Sequence, residues 1–341
     1  MAEKKSAKSY VKSAVKRTVR RKKKKLVRRY PIVAIVLLVL VATIYLSLCA
    51  VDHYDIDVGF DVDMGDANVF DLFAPKKTID PLPIPEDGEV LFHFIDVGQG
   101  DAILVTTAEG NMLVDTSEVS AREQLDVYLK STQVTALKYL VLTHPDADHI
   151  GNAAYIIENY DVENVILNAD NPATTNLYEN LLDVIEENNI NVISLKAEET
   201  FDLGALRNTI IGPSGEYSDP NEMSYVIKAV YGETSAMLTG DAEKKSEADI
   251  IKKWSAEALQ CNILKIGHHG SDSSTTDGFL NAVDPEIAVI SCGAGNKYGH
   301  PMPEILEKLA AKGITVYRTD TQGSIIFKTD GKSFTLVETR K

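Results

Sequence analysis

The chain has 341 residues, of which 44% are apolar and 25% charged, a balance that excludes a disordered or fibrous protein. The formal net charge of −15 is unevenly spread: residues 1–30 hold 14 Lys/Arg against Glu3 alone, while residues 51–341 hold 21 bases against 49 acids. The acidic part argues against a nucleic-acid-binding body, because phosphate backbones select basic surfaces. Three cysteines, Cys49, Cys261 and Cys292, provide neither a disulfide framework nor a CxxC metal site.

From Pro31 to Val51 the sequence carries no charge over 21 residues. That length matches a helix crossing ~30 Å of hydrocarbon. The preceding RRKKKKLVRR places its N-terminal side in the cytoplasm by the positive-inside rule. The run exceeds the apolar core of a usual signal peptide, so an uncleaved anchor is expected. The expected localisation is therefore a single-pass membrane protein with an extracellular catalytic domain. The basic tail, residues 1–30, is expected to touch anionic membrane lipid. Residues 52–87, acidic and then proline-rich, read as a linker, and no obligate protein partner is evident.

Beyond Gly88 strands and helices alternate. VLFHFIDVG, AILVTT and NMLVDT read as consecutive strands separated by Gly-containing turns. A helix near Ala121–Lys130 precedes the strand LKYLVLTH, and GNAAYIIENY has helical period. VENVILN, a helix at Asn176–Glu187 and NVISLK continue the pattern. SYVIKAVYG and SAMLTGD form a hairpin, then a helix near Ala242–Trp254 leads to NILKIGHHG. A helix at Asp277–Ala282, the strand IAVISCG, the helix PEILEKLAAKG and three closing strands complete residues 88–341. This pattern predicts an α/β domain with two layers of sheet covered by helices.

The chemistry-bearing residues stand at strand ends. Thr143-His144-Pro145-Asp146-Ala147-Asp148-His149 directly follows LKYLVL and offers four potential ligands in six positions. Imidazole and carboxylate hold zinc or manganese while leaving a position open for water. A capped helix start is the plain structural alternative for this loop. Two further strand ends weigh against that alternative. Leu238-Thr239-Gly240-Asp241 ends one in a carboxylate, and Gly267-His268-His269-Gly270-Ser271 follows another. Three strand ends that each deliver a ligand are the usual construction of a catalytic metal site.

HPDADHIGN, LTGD and GHHGS, in this order, resemble the metallo-β-lactamase fold. FIDVGQGDAILV and NKYGHP are similar to the hydrolase domain of ComEC-type competence proteins and its stand-alone secreted relatives. The resemblance covers roughly Glu89 to the C terminus and implies a four-layer αββα sandwich. It also implies two divalent metal ions, Zn²⁺ in the first place with Mn²⁺ as the alternative. His144 and Asp146 would belong to the first ion, Asp148 and His149 to the second, with Asp241 bridging and the His268–His269 pair closing the second. Asp148, His269 and His300 are the candidates for direct catalytic work.

Adjacent residues on an extended segment face opposite ways, so only one of His268 and His269 is expected to face the metals. No histidine lies between 149 and 241, where the fold often supplies another first-metal ligand, so that site is expected to be the weaker. Asn221 is a candidate lining residue. Asp96, Gln99, Asp101 and Asp115 serve either tight turns or the orientation of ligating histidines. His300 reads as a general acid or as a loop histidine, and His93 as core.

These readings give a metal-dependent hydrolase acting through metal-activated water on a phosphodiester, either a small one or nucleic acid. The alternatives are a lactone, ester or β-lactam hydrolase, or a tethered binding module without activity.

Overall fold

The computed structural model describes residues 81–340. Fifteen strands build two sheets among these residues. The first contains β1 (Val90–Phe94), β2 (Ile103–Thr107), β3 (Gly110–Val114), β4 (Ala136–Leu142), β5 (Asp161–Leu167) and β6 (Asn191–Ile193). The second is built from β7 (Thr200–Leu203), β8 (Leu206–Gly212), β9 (Val226–Tyr231), β10 (Thr234–Leu238), β11 (Ile263–Lys265), β12 (Ile287–Ile290) and β13 (Thr315–Arg318). The last two strands, β14 (Ser324–Thr329) and β15 (Phe334–Arg340), return to the first sheet. The strand orders are β15-β14-β1-β2-β3-β4-β5-β6 and β13-β12-β11-β10-β9-β8-β7.

Strand alternation explains why two sheets form. In β1 the side chains of Val90, Phe92 and Phe94 enter the core between the sheets, and Leu91 enters the core on the outer face. His93 also belongs to the outer face, where its Nδ1 meets the Tyr128 hydroxyl at 3.1 Å, so it is a core histidine. The inner core is filled by residues such as Val105, Val141, Tyr225, Ile227, Leu238 and Phe327.

Helices cover both outer faces. On the first sheet lie α1 (Arg122–Ser131), the single turn α2 (Ala147–Ile150), α3 (Ala153–Asn159) and α4 (Asn176–Glu187). Leu125, Leu129, Ile156, Leu181 and Ile185 seal that layer. On the second sheet lie α5 (Lys244–Lys253), α6 (Ala256–Leu259), α7 (Asp277–Val283) and α8 (Pro303–Ala311), and a short α9 (Thr319–Gln322) follows β13. Ile250, Leu259, Phe279, Leu280 and Leu309 close it. The result is the expected helix–sheet–sheet–helix sandwich. The hairpin β7–β8, which the sequence reading passes over, extends the second sheet through antiparallel pairing of Thr200–Leu203 with Leu206–Thr209.

The expected membrane placement is corrected. Among the described residues no helix is long and apolar enough to cross a membrane. The longest among them, α4, has 12 residues, against the ~20 that a span needs, and uses its apolar stripe to cover a sheet. The structure therefore gives no support to a single-pass protein with its catalytic domain outside the cell. The run 31–51, the basic tail and the linker up to residue 80 lie outside the described residues. Of the residues assigned to the linker, Leu82 is buried in the outer core, and its N–H donates to the Ser131 carbonyl at 2.9 Å.

Candidate metal centre

β3, β4 and β5 run parallel, as do β10, β11 and β12, so the loops at their C-terminal ends gather side chains from distant parts of the sequence. The loop after β4 carries His144 and Asp146, and α2 carries Asp148 and His149. Gly240 and Asp241 follow β10, and His268 and His269 follow β11.

These residues converge on the Asp241 carboxylate. His149 Nε2 lies 3.3 Å from its Oδ1, and His269 Nε2 lies 3.4 Å from its Oδ2. His268 Nε2 is 3.7 Å and His144 Nε2 4.0 Å from Oδ2. Asp148 joins through His269 Nε2, at 3.3 Å. The His144 and His149 rings are 4.0 Å apart, centre to centre. Of four groupings with metal-ligand spacing, two leave out Asp101, His144/His149/Asp241 and Asp148/His149/His269.

The donor set fits divalent cations. The Nε2 atoms of His144, His149 and His269 and Oδ1 of Asp241 are buried without a hydrogen-bond partner. Buried polar atoms are normally paired, and four such atoms at one locus mark a place built for a cation.

The opposite ring nitrogens are held from behind. His149 Nδ1 lies 2.8 Å from Asp115 Oδ2, and His269 Nδ1 donates to the Ser291 carbonyl at 3.0 Å. His268 Nδ1 meets Glu243 Oε1 at 3.0 Å and Ser273 Oγ at 3.1 Å. Each partner fixes a tautomer that leaves Nε2 for the centre. Asp115 sits at a left-handed φ of 60° and also accepts from the Thr143 N–H and hydroxyl, at 2.8 and 2.7 Å. Such a strained position persists because the surrounding bonds enforce it.

Asp101, from the FIDVGQGD turn, has its Oδ1 3.5 Å from His269 Nδ1 and its Oδ2 3.9 Å from His149 Nδ1. Gly100 allows this approach: a Cβ there would collide with the Asp148 carbonyl, which accepts the Asp101 N–H at 3.1 Å. The sequence reading missed Lys265. Its ammonium reaches Asp101, donates to the Gly240 carbonyl at 3.0 Å, and lies 3.9 Å from Asp241 Oδ1. The available signal was a lysine inside the otherwise apolar NILKI, immediately before GHHG. Glu243, which holds His268, was also missed and follows Asp241 by two positions.

Burial opposes every charge here, yet the carboxylates and imidazoles overcome it jointly. His149 is raised well above its ordinary pKa by Asp241 and Asp115, and His269 by Asp241, Asp101 and Asp148. Against the upward push of burial, the positive charges of His269 and His149 hold Asp241 well below the usual carboxylate range. Asp148 is likewise lowered, despite burial, by the adjacent imidazoles of His269 and His149. The positive charge drawn onto His149 and His269 is the charge a cation would replace. His144 differs: burial pushes it down to about 3, so it stays a neutral donor.

The placement departs from expectation at three points. His268 and His269 both turn their Nε2 atoms toward Asp241, because φ is 47° and 55° in a tight 3₁₀ turn rather than extended. Alternation between faces applies only to extended backbone. His149 belongs to both groupings, and Asp146 to neither. Asp146 Oδ2 is 4.0 Å from His144 Nε2, and its side chain is half exposed at the rim. Asn221 connects to the cluster through Ser224. Its carbonyl accepts the Ser224 N–H, and Ser224 Oγ accepts the Asp241 N–H at 3.3 Å, so Asn221 opens the turn that supports Asp241. His300 lies beside the centre, its ring 5.7 Å from that of His268.

A two-sheet sandwich with His/Asp clusters at its strand ends defines a metal-binding hydrolase class, and residues 95–294 match the model of the metallo-beta-lactamase superfamily. The chain belongs to that superfamily. Among individual proteins it is 30% identical over 266 residues to ComE operon protein 3 of Bacillus subtilis (strain 168), covering 72% of this chain and 33% of that protein. It is 32% identical over 258 residues to competence protein ComA of Neisseria gonorrhoeae, covering 75% of this chain and 34% of that one. The match thus spans about a third of the length of these relatives. The resemblance to ComEC-type competence proteins read from the motifs is thereby borne out. Among solved structures, the metallo-beta-lactamase fold protein YhfI from Bacillus subtilis aligns over 71% of this chain and 100% of its own, with TM-score 0.48 and 10% identity.

Proposed function

We propose that this protein is a metal-dependent phosphodiester hydrolase whose ions are held by the two His/Asp groupings around Asp241. The observation that carries this reading is the convergence of three buried, unpartnered imidazole Nε2 atoms on one carboxylate. His144 and Asp241 would hold one ion and Asp148 and His269 the other, and His149, whose single Nε2 lone pair binds one ion, would complete one of the two sets. Zn²⁺ or Mn²⁺ held there supplies Lewis acidity for water and for the phosphoryl oxygens.

The chain's own residues do the rest. Asp115 and the Ser291 carbonyl keep His149 and His269 in the tautomer that presents Nε2. Asp146, at the rim, is available to a cation with a hard-ligand preference such as Mn²⁺. His268 and His300 stand on the open side and can pass a proton to the leaving oxygen. Burial and the neighbouring His268 push His300 downward, which makes its protonated form a stronger acid.

Similarity to competence proteins supports a phosphodiester over a lactam. The −28 balance of residues 51–341 supports a short diester over a long polyanion, which that charge would repel. The full chain, loaded in turn with Zn²⁺ and Mn²⁺, should be offered bis(p-nitrophenyl) phosphate, p-nitrophenyl acetate and nitrocefin. Turnover of the diester above the others, lost in Asp241→Asn, is the expected result. Preference for the acetate or the lactam overturns the reading.

A further inference from the structure

The segment between β12 and α8 places an aromatic ladder at the mouth of the centre. Tyr298 is 47% exposed and is the one aromatic among the exposed large hydrophobic residues described. Its ring stacks on His300, with centroids 5.6 Å apart and planes 22° apart. His300 in turn meets His268 edge to face at 5.7 Å, and His268 Nε2 reaches Asp241 at 3.7 Å. Two ring contacts therefore connect open solvent to the carboxylate at the heart of the site.

This ladder is built rather than incidental. Asn296 Oδ1 accepts the N–H groups of Tyr298 and His300, at 3.1 and 3.0 Å. Its Nδ2 donates to the carbonyls of Gly293 and His300, at 2.9 and 2.5 Å. Gln99 Oε1 accepts the Gly293 N–H at 3.2 Å, which ties the loop to the FIDVGQGD turn. This network fixes the backbone of the loop that carries the Tyr298 ring. Lys297 is exposed and lies over the Tyr298 ring, its Nζ 4.9 Å from the centroid. In an acidic chain it places a cation within reach of a phosphate beside that ring.

We infer that Tyr298 is a stacking platform for a flat aromatic group, a nucleobase or an aryl ring, next to the scissile bond of a short phosphodiester. Every base or aryl ring presents a π-face, so such a platform selects aromatic esters without reading their edges. On arrival of the ligand Lys297 leaves the ring for the phosphate flanking the stacked group. The inference rests on the phosphodiester reading for its substrate, and on the loop geometry alone for its platform.

The test uses the full chain with Mn²⁺ and two diesters, the dinucleotide thymidylyl-thymidine and the aliphatic glycerophosphocholine. In Tyr298→Ala the ratio of kcat/KM for the dinucleotide to that for glycerophosphocholine should fall about tenfold through KM, and in Tyr298→Phe it should stay within about twofold of wild type. The platform is overturned if Tyr298→Ala leaves that ratio unchanged. If the wild type cleaves neither diester, the phosphodiester reading fails, and calorimetric titration with thymidine 5′-monophosphate then decides the platform alone. Binding at least about tenfold weaker in Tyr298→Ala sustains it, and equal binding overturns it. The p-nitrophenyl ester of thymidine 5′-monophosphate, assayed beside bis(p-nitrophenyl) phosphate, separates nucleobase from aryl recognition.

Discussion

Lys265 extends its ammonium onto the carboxylate of Asp101, with both side chains sealed from solvent behind the metal-ligand cluster. The pair stands on the Nδ1 side of His149 and His269, opposite the Nε2 atoms that face Asp241. Two further groupings with metal-ligand spacing, Asp101/Asp241/His269 and Asp101/Asp115/His149, lie on this inner side. The lysine already supplies a cation there.

Removing one member of a buried ion pair leaves the other uncompensated. Lys265→Met should therefore destabilise the fold by roughly 3–5 kcal/mol. The double variant Lys265→Met/Asp101→Asn should recover a large part of that loss. Urea midpoints of the two variants check this, and equal destabilisation in both would show that the pair is not the cause.

His149 belongs to three of the four groupings, His269 to two and His144 to one. After gel filtration His144→Ala, His149→Ala and His269→Ala should each retain less Mn²⁺ or Zn²⁺ than wild type, with the loss greatest in His149→Ala. Elemental analysis of the purified variants reads this directly. An unchanged metal content in His149→Ala would remove it from the centre.

Asp115→Asn keeps the shape of the side chain but loses the carboxylate that orients His149 Nδ1 and accepts from Thr143. Loss of such an outer partner typically costs 10–100-fold in metal affinity, and about that drop is expected here. Competition with a chelator of known affinity measures it.

The raised pKa values of His149 and His269 have a definite sign in the pH dependence. Their contribution to the stability of the metal-free protein is fully present below about 6.5, the unfolded value, and is lost as pH rises through the higher folded values. His144, held down at about 3, is neutral in both states only above about 6.5, and between those values only the unfolded chain protonates it, so it adds stability as pH rises through that interval and no slope above it. The metal-free chain should thus lose stability as pH rises above about 6.5, read from urea midpoints with chelator present. Metal affinity should rise over the same range, because binding displaces those protons, and titrations in buffers of different ionisation enthalpy count the protons released.

Much of the architecture and most of the residues that the structure gathers around Asp241 were legible in the sequence. The apolar run VLFHF and the helical period of residues 176–187 act locally, so the elements they dictate appear where they were read. The candidate ligands that the structure brings together were visible too, because imidazoles and carboxylates at the ends of apolar strands stand out against their surroundings. The hairpin β7–β8 was not legible: TFDL and LRNTIIG mix polar and apolar residues, and their strand state depends on pairing with each other and with β9.

The sequence by itself determined the order of the motifs, the residue types at the centre and the two-layer sheet that carries them. The tertiary structure decided how they share the site. It made His149 common to both groupings and moved Asp146 to the rim. It turned His268 and His269 inward together through two left-handed residues, which no face-alternation rule foresees. It also put Lys265 against Asp101, 164 positions away in sequence, and aligned Tyr298 with His300 and His268. Each of these depends on contacts across strands distant in the chain, and distances of that kind are set by packing.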